Sequence, residues 1–254
     1  MRKNFSNRLV AAAGIGAVAM IGLSVSAYAA PRQNQTPKEQ QKQQQAQTKQ
    51  DQARNKQHQQ ALVTQQKQRL AQYSDHLNQQ QRVAQPQSAE LQHQNRNAQY
   101  AVQRQYVDRL HQQQLTAQHQ NPSVYGRDPY FSTPASFRYS RGGRSYETNQ
   151  YGVNLLKQGV NYGYDQGYRA GEADRMDHSP SNYEVSFAYR DANYGYAGFY
   201  VDRDDYNFYF REGFRRGYED GYGEHTQFGM YANGRGTILD AELGSIFNFE
   251  VIAR

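Results

Sequence analysis

The chain has 254 residues, and it is too polar for a hydrophobic core that extends over its whole length. Only 37% of its residues are hydrophobic and its mean hydropathy is −1.06, whereas globular domains carry about 45–50% apolar residues. The net charge is +6 and there is no cysteine. The absence of cysteine excludes disulfides, thiolate metal sites and cysteine nucleophiles.

The composition divides the chain into two parts. Residues 31–120 contain 32 glutamines and no glycine or phenylalanine, whereas residues 121–254 hold 18 of the 22 tyrosines and 18 of the 21 glycines. Lysine and arginine outnumber aspartate and glutamate by 12 to 5 in the first part, and they are outnumbered 14 to 18 in the second. A basic first part can contact anionic polymers, and a solvated polar helix explains the same charges.

The first 29 residues have the pattern of a signal peptide. A positive start in residues 2–8 precedes an apolar run in residues 9–25, and Ala27-Tyr28-Ala29 supplies the small residues of a cleavage site. A membrane anchor is the alternative, but the run is short for a span and no basic stop follows it. The pattern therefore predicts export to the periplasm or beyond the cell.

Residues 30–120, which we call the arm, are predicted to be disordered or helical with a break near Pro86. An apolar heptad column is faint, because its companion column is mostly glutamine. A second helix is expected from about residue 87 to the Asn121-Pro122 pair, and its apolar stripe is suited to docking on the rest of the chain. The column and the stripe comprise Val63, Leu70, Leu77, Ala84, Leu91, Ala98, Val102, Tyr106 and Leu110.

Residues 121–147 are predicted to be a loop that leads into a C-terminal module at 148–254. The loop contains Arg141-Gly142-Gly143-Arg144, a segment of a type that binds RNA in low-complexity contexts. A single copy in an exported chain is more typical of a turn, so the sequence does not favour a nucleic-acid partner.

Two glycine ladders dominate the module. Glycines recur at every fourth position, with aromatic residues beside them, so each ladder predicts an α-helix with a bare groove next to a ridge of rings. The first helix is expected from Thr148-Asn149 to about residue 175, and the second from Asp202 to about residue 223. We call the predicted interface between them the glycine seam, with residues Gly159, Gly163, Gly167, Gly171, Gly213, Gly217, Gly221, Tyr164, Tyr168, Phe214 and Tyr218.

Seven helical glycines lower helix stability by about 6–7 kcal/mol relative to alanine. Packing that brings two backbones close together would offset this loss. An antiparallel hairpin within one chain is the simplest arrangement, and the same surfaces could also pair two chains. Charged residues such as Asp165, Arg169 and Arg215 within the ladders argue against a membrane zipper. No stretch after the leader approaches the roughly 20 apolar residues of a membrane span.

The segment between the ladders is rich in tyrosine. Residues 183–189 alternate with the period of a strand, but Gly195 and Gly198 weaken a returning strand, so a loop is favoured over a hairpin. Tyrosines that the core does not need could stack on sugar rings or bases. The candidate ligand surface comprises Tyr183, Tyr189, Tyr194, Tyr196 and Tyr200.

A short third helix is predicted from Thr237, with Asp240 near its start. Ile238, Leu243 and Phe247 lie on its apolar face. This helix is expected to lie on the ladder pair.

The sequence contains no recognisable catalytic, cofactor or metal-binding motif. Asp174, Asp177 and His178 could hold a cation, but charged residues at a helix C-terminus before a turn are the commoner and favoured explanation. Residues 202–205 begin like a calcium loop, but Tyr206 and Asn207 break the pattern, and helix capping explains the aspartates. We therefore predict no catalytic residue, no cofactor and no metal site.

The segments 138–175 and 200–222 resemble a set of exported bacterial proteins with a glutamine-rich N-terminal region and paired Gly-Tyr helices. The resemblance covers roughly residues 95–254 and implies a common fold, but it carries over no catalytic residue. Asp240, Glu242 and Glu250 make this C-terminus more polar than the tail of that group.

These observations predict a mainly α-helical protein: a small module built on a helix hairpin, with a short C-terminal helix and a glutamine-rich arm before it. The predicted function is that of a non-enzymatic exported envelope protein that self-associates or docks through the glycine seam. The alternative is a module that binds an envelope glycan or another polyanion through residues 183–200 or through the basic arm.

Overall fold

The computed structural model describes residues 37–119, 121 and 128–252. The predicted signal peptide lies outside these residues. The described chain divides into two units between Lys49 and Gln50. Within the first unit, residues 37–49 are helical and their described side chains are exposed. The predicted mainly helical class is confirmed, with a few small strands added.

Helices make up most of the described chain. Two long helices form the arm, two more carry the glycine ladders, and three are short. They are α1 (Pro37–His93), α2 (Asn97–His119), α3 (Pro129–Ser132), α4 (Gln150–Met176), α5 (Phe187–Asp191), α6 (Arg203–Gly223) and α7 (Asp240–Ile246), with a 3-10 turn at Tyr183–Val185.

In the described residues, five short strands form two antiparallel sheets. In the three-stranded sheet the order is β2-β1-β5, and Phe137 of β1 lies opposite both Thr148 of β2 and Val251 of β5. The two-stranded sheet pairs β3 with β4. The strands are β1 (Phe137–Arg141), β2 (Arg144–Thr148), β3 (Gly229–Ala232), β4 (Arg235–Ile238) and β5 (Glu250–Val251).

The glycine ladders lie at the interface between α4 and α6. A Cβ atom built at Gly163 would lie 1.9 Å from the carbonyl oxygen of Phe210, and one built at Gly167 would lie 2.0 Å from that of Phe214. The contact is reciprocal, since a Cβ at Gly217 would lie 2.0 Å from the carbonyl oxygen of Tyr164. Each backbone therefore occupies the space that a side chain would need on the other helix.

The two ladder helices run in the same direction. The partner of Gly163 is Phe210, that of Gly167 is Phe214, and that of Gly171 is Tyr218, so the residue numbers rise together on both helices. The predicted antiparallel hairpin is therefore wrong. The 27 residues of α4 are about 40 Å long, and the connection at 177–202 is long enough to return along that length.

A local two-fold relation underlies this parallel pair. Residues 163–171 read GYDQGYRAG and residues 213–221 read GFRRGYEDG, so both segments place three glycines and two aromatic residues at the same positions. Gly213 lies 50 residues after Gly163. The contact of Gly163 is Phe210, which in turn lies 50 residues after Val160, the contact of Gly213. Matched ladders in parallel helices thus give each of these six glycines a facing carbonyl.

From residue 50 onwards, the arm is part of the second compact unit. Tyr73 and Leu77 of α1 and Tyr106 and Leu110 of α2 are buried in the same core cluster as the ladder helices. The stripe predicted on the second helix is therefore a packing surface. Glutamines take part as well, because Gln113 of α2 donates to the carbonyl oxygens of Asn193 and Tyr196 at 2.9 Å.

The predicted break near Pro86 is absent, since Pro86 lies inside α1. The chain leaves the helix later, at residues 94–96, where Asn95 has φ 57°. Contacts with α2 support the helix around Pro86, as the amide of Gln103 donates to the carbonyl oxygen of Ala84 at 3.1 Å and to Ser88 Oγ at 2.9 Å.

Three other sequence expectations have mixed outcomes. Within the predicted loop at 121–147, residues 137–148 form a hairpin, which is held because Tyr139 packs on Tyr209 and Phe249. Residues 181–201, all of them described, contain no strand, in agreement with the favoured loop, although a 3-10 turn and α5 interrupt it. The third helix begins at Asp240 rather than Thr237, because Thr237 pairs with Met230 in the second sheet.

No helix in the described part of the chain has both the length and the apolar character needed to cross a membrane.

The core is unusually rich in buried tyrosine, which makes the fold sensitive to alkali. Burial raises the pKa of Tyr73, Tyr106 and Tyr206 well above the ordinary value of 10.0. The folded chain therefore keeps protons that the unfolded chain releases above about pH 10. Below that pH these groups make their full contribution to the free energy of unfolding. The contribution falls as the pH rises through and beyond it.

We expect cooperative unfolding of the protein above about pH 10. Tyrosinate absorbance and far-ultraviolet circular dichroism, followed together during an alkaline titration, should show the buried tyrosines ionising in the same step that removes helix. Ionisation of all tyrosines near pH 10 with the helical signal unchanged would contradict this prediction.

Candidate functional site

The tyrosines of the seam are tied to buried carboxylates. The hydroxyl of Tyr164 donates to Asp220 Oδ2 at 2.8 Å, and that of Tyr218 donates to Asp174 Oδ2 at 2.6 Å. Both aspartates are fully buried. These hydroxyls therefore satisfy internal acceptors, and the seam is a packing interface whose polar groups are already used within the chain.

The acidic cluster at the end of α4 fastens the arm. Arg96 contacts Asp174 Oδ1 at 2.5 Å, and the carboxylate of Asp177 accepts from the backbone N–H groups of Ala98 and Gln99 at 3.0 and 2.8 Å. Asp177 thus caps the N-terminus of α2 from another element. Burial raises the pKa of Asp174, while hydrogen bonds from Tyr218 and Arg96 oppose that effect.

The described residues hold no group of three or more His, Cys, Asp or Glu side chains suited to a metal ion. Asp202 and Asp205, the start of the broken calcium pattern, have protein partners. Asp202 contacts Arg69 at 2.5 Å, and Asp205 accepts from the hydroxyl of Tyr139 at 2.7 Å. Asp202 precedes α6 but makes no side-chain capping bond, so its carboxylate serves the ion pair instead.

The five candidate ligand tyrosines do not form one surface. Tyr183 and Tyr189 contact each other with ring centroids 4.9 Å apart, and they pack on α6. Tyr194 lies 4.9 Å from the ring of Tyr162. Tyr196 is only 2% exposed and its hydroxyl donates to the carbonyl oxygen of Val201 at 3.0 Å.

Tyr200, the fifth, stacks on Tyr130 with ring centroids 4.4 Å apart. Its hydroxyl donates to Asp128 Oδ2 at 2.6 Å. Tyr200 therefore also has partners within the chain, and most of the surplus tyrosine is used for packing.

A polar, open cleft of about 480 Å³ lies in the described part of the chain, and we call it the arginine cleft. It lies between α1, the β1–β2 hairpin and the N-terminal end of α6. Four arginines, two aspartates, three tyrosines and one glutamine line it: Arg69, Arg141, Arg144, Arg203, Asp202, Asp204, Tyr73, Tyr146, Tyr196 and Gln72.

The hairpin turn explains how two of the arginines reach the cleft. Gly142 and Gly143 have φ values of 56° and 75°, the left-handed conformation that a tight hairpin turn requires and that glycine adopts without strain. The turn makes Arg141 and Arg144 directly opposite cross-strand neighbours. A tight turn therefore brings two guanidinium groups to one rim.

The arginines of the cleft differ in their partners. Arg69 is paired with Asp202, and the Nε of Arg141 with Asp205. Within residues 37–119, 121 and 128–252, Arg144 and Arg203 form no ion pair. Two cationic groups thus remain available to an anion, and Arg203 is in the first turn of α6, whose positive dipole end adds to the field.

Sequence reasoning singled out the Arg141–Arg144 segment as a turn and missed Arg69 and Arg203. The Arg-Gly-Gly-Arg pattern was a visible signal for the hairpin pair. Arg69 lies 133 residues from its partner Asp202, and no local pattern connects positions so far apart.

Comparisons with protein-family models, with curated proteins and with solved structures find no match to this chain.

Proposed function

We propose that this chain is a non-enzymatic, exported binding protein that holds an anionic envelope polymer in the arginine cleft. The observation that carries the proposal is the pair of arginines, Arg144 and Arg203, that line a concave site of about 480 Å³ without an acidic partner among the described residues. Guanidinium groups bind carboxylate and sulfate or phosphate oxygens through paired hydrogen bonds. Export enters the proposal from the sequence pattern of residues 1–29.

This proposal places ligand binding in a different region from those predicted. Residues 183–200 are largely packed against the core, and the arm is built into the compact unit from residue 50. The arginine cleft uses one end of that segment, through Tyr196, and one residue of the arm, Arg69. The glycan or polyanion alternative therefore has more support than docking through the seam.

Self-association remains a separate proposal, and it would use surfaces other than the seam. Each ladder groove is filled by the backbone of the other helix, so the seam has no room for a second chain. Sedimentation that shows a strict monomer over a wide concentration range would overturn self-association.

The cleft is tested by removing the two arginines that have no described acidic partner. Arg144→Ala with Arg203→Ala should weaken binding of a soluble acidic polysaccharide about tenfold or more, because each lost charge-assisted pair is worth roughly 1.5–3 kcal/mol. Binding should also weaken as salt is added. Isothermal titration calorimetry measures both effects.

Lys157→Ala with Arg235→Ala is the matched control. Both residues are exposed, outside the cleft and free of ion pairs among the described residues, and the double change removes the same net charge. Equal weakening by the two double variants would show non-specific attraction to a basic protein, and no binding by the unaltered protein would overturn the proposed function.

A further inference from the structure

A second cleft adjoins the arginine cleft and differs in chemistry. It has a volume of about 230 Å³, and we call it the aromatic cleft. The two clefts share Arg69, Tyr146 and Asp202, so a single ligand can extend from one to the other. Aromatic rings and glutamine amides are prominent in its lining: Tyr130, Phe131, Tyr139, Tyr200, Gln65 and Gln66.

Gln66 supplies an independent sign of a ligand. Its side chain is 2% exposed and lines the aromatic cleft, yet its Oε1 is buried without a hydrogen-bond partner among the described residues. Buried amide oxygens are nearly always paired in folded proteins. The oxygen is closed to solvent as the side chain stands, and rotation of the amide toward the cleft would let a ligand hydroxyl donate to it.

The backbone of Tyr200 also indicates a ligand site. It lines the aromatic cleft and has φ 74°, a left-handed backbone that is rare for a bulky residue. Strained residues of this kind cluster at ligand sites, where the surrounding structure holds them in place.

The charges of the joined clefts indicate which ligand fits. Asp202 and Asp204 lie among the four arginines, and a polyphosphate offers these two carboxylates only further negative oxygens and no hydroxyl donor. The same carboxylates accept hydrogen bonds from hydroxyl groups. A ligand that combines separated carboxylates with many hydroxyls and with ring faces satisfies the arginines, the aspartates and the aromatic wall together.

We infer that the ligand is an acidic oligosaccharide, with a uronic-acid carboxylate in the arginine cleft and a neighbouring sugar ring in the aromatic cleft. This inference rests on the proposed function and deepens it. Arg144 and Arg203 hold the carboxylate, Gln66 accepts from a sugar hydroxyl, and Tyr200 belongs to the wall beside the ring.

The experiment compares tetragalacturonate, neutral maltotetraose and tetrapolyphosphate by calorimetry on the mature full-length chain. Tetragalacturonate should bind more tightly than maltotetraose or tetrapolyphosphate, by a factor of about ten or more. Gln66→Met removes the amide and keeps a side chain of similar volume. It should weaken the binding of tetragalacturonate about tenfold and leave any binding of tetrapolyphosphate unchanged. If this variant does not fold, Gln65→Ala, at an exposed position of the same cleft, should weaken tetragalacturonate alone.

Gln99→Met is the matched control, since Gln99 is 4% exposed, its Oε1 is also buried without a partner, and it lines neither cleft. It should leave all three affinities unchanged. Tetrapolyphosphate binding as tightly as tetragalacturonate, with no effect of Gln66→Met, would overturn the saccharide proposal while leaving an anion-binding cleft. Failure of every anionic probe to bind would overturn the proposed function as well.

Discussion

Gly167→Ala with Gly217→Ala is expected to unfold the protein at room temperature. A Cβ at either position would lie 2.0 Å from a backbone carbonyl oxygen, that of Phe214 or Tyr164, and a backbone atom cannot rotate away as a side chain can. The helices must move apart, so the tightly packed core around them loses contacts on both sides. Because the whole stability of a domain is about 5–15 kcal/mol, two such clashes consume most of it.

Circular dichroism and urea denaturation measure this effect. Gly244→Ala is the matched control, since Gly244 lies inside α7 and a Cβ there meets nothing within 4 Å. This change should stabilise α7 slightly, by at most about 1 kcal/mol, because alanine has the higher helix propensity. Melting of the double variant at the wild-type temperature would show that the ladders do not require bare backbone.

Asp174→Ala is expected to destabilise the protein by about 3 kcal/mol, at the low end of the range for breaking a buried ion pair. The carboxylate is fully buried and joins Arg96, between the arm helices, to the hydroxyl of Tyr218 on α6. Its removal leaves a guanidinium that is mostly buried and whose Nε already has no partner among the described residues.

Asp174→Asn separates charge from hydrogen bonding. The amide oxygen can still accept from Tyr218, and the charged carboxylate carries a desolvation cost that raises its pKa, so we expect a smaller loss than for alanine. Urea denaturation gives both free energies. The exposed pair between Asp51 and Arg54 provides the control, because Asp51→Ala should change stability by less than about 1 kcal/mol. A loss equal to that of Asp51→Ala would show that the arm does not depend on Asp174.

The same carboxylate illustrates what sequence reasoning could not see. Asp174, Asp177 and His178 formed a visible cluster, and a helix end was the favoured explanation. The cluster is at a helix end, but the helix that Asp177 caps is α2, some 80 residues earlier in the chain. Spacing within a sequence reports neighbours on one helix and carries no information about a distant N-terminus that lacks its own cap.

The arm shows a related limit. Its glutamine content and weak heptad column indicated disorder or a loose helix, because few of its side chains are apolar. Tertiary contacts supply what the column lacks, as Gln103 and Gln113 satisfy backbone carbonyls in other elements and Tyr73 and Tyr106 enter the common core. Propensity is a weak guide where such contacts are available.

The sequence by itself determined the helical class, the limits of the ladder helices to within a few residues and the need for two backbones to meet at the glycines. A spacing of four and the cost of glycine in helices suffice for those conclusions. The parallel direction of the ladder pair was decided only by the tertiary structure, because glycine grooves accept either direction and a connection as long as residues 177–202 permits both. The arginine cleft also depends on the tertiary structure, since Arg69, Arg144 and Arg203 come together only when α1, the β1–β2 hairpin and α6 have packed together.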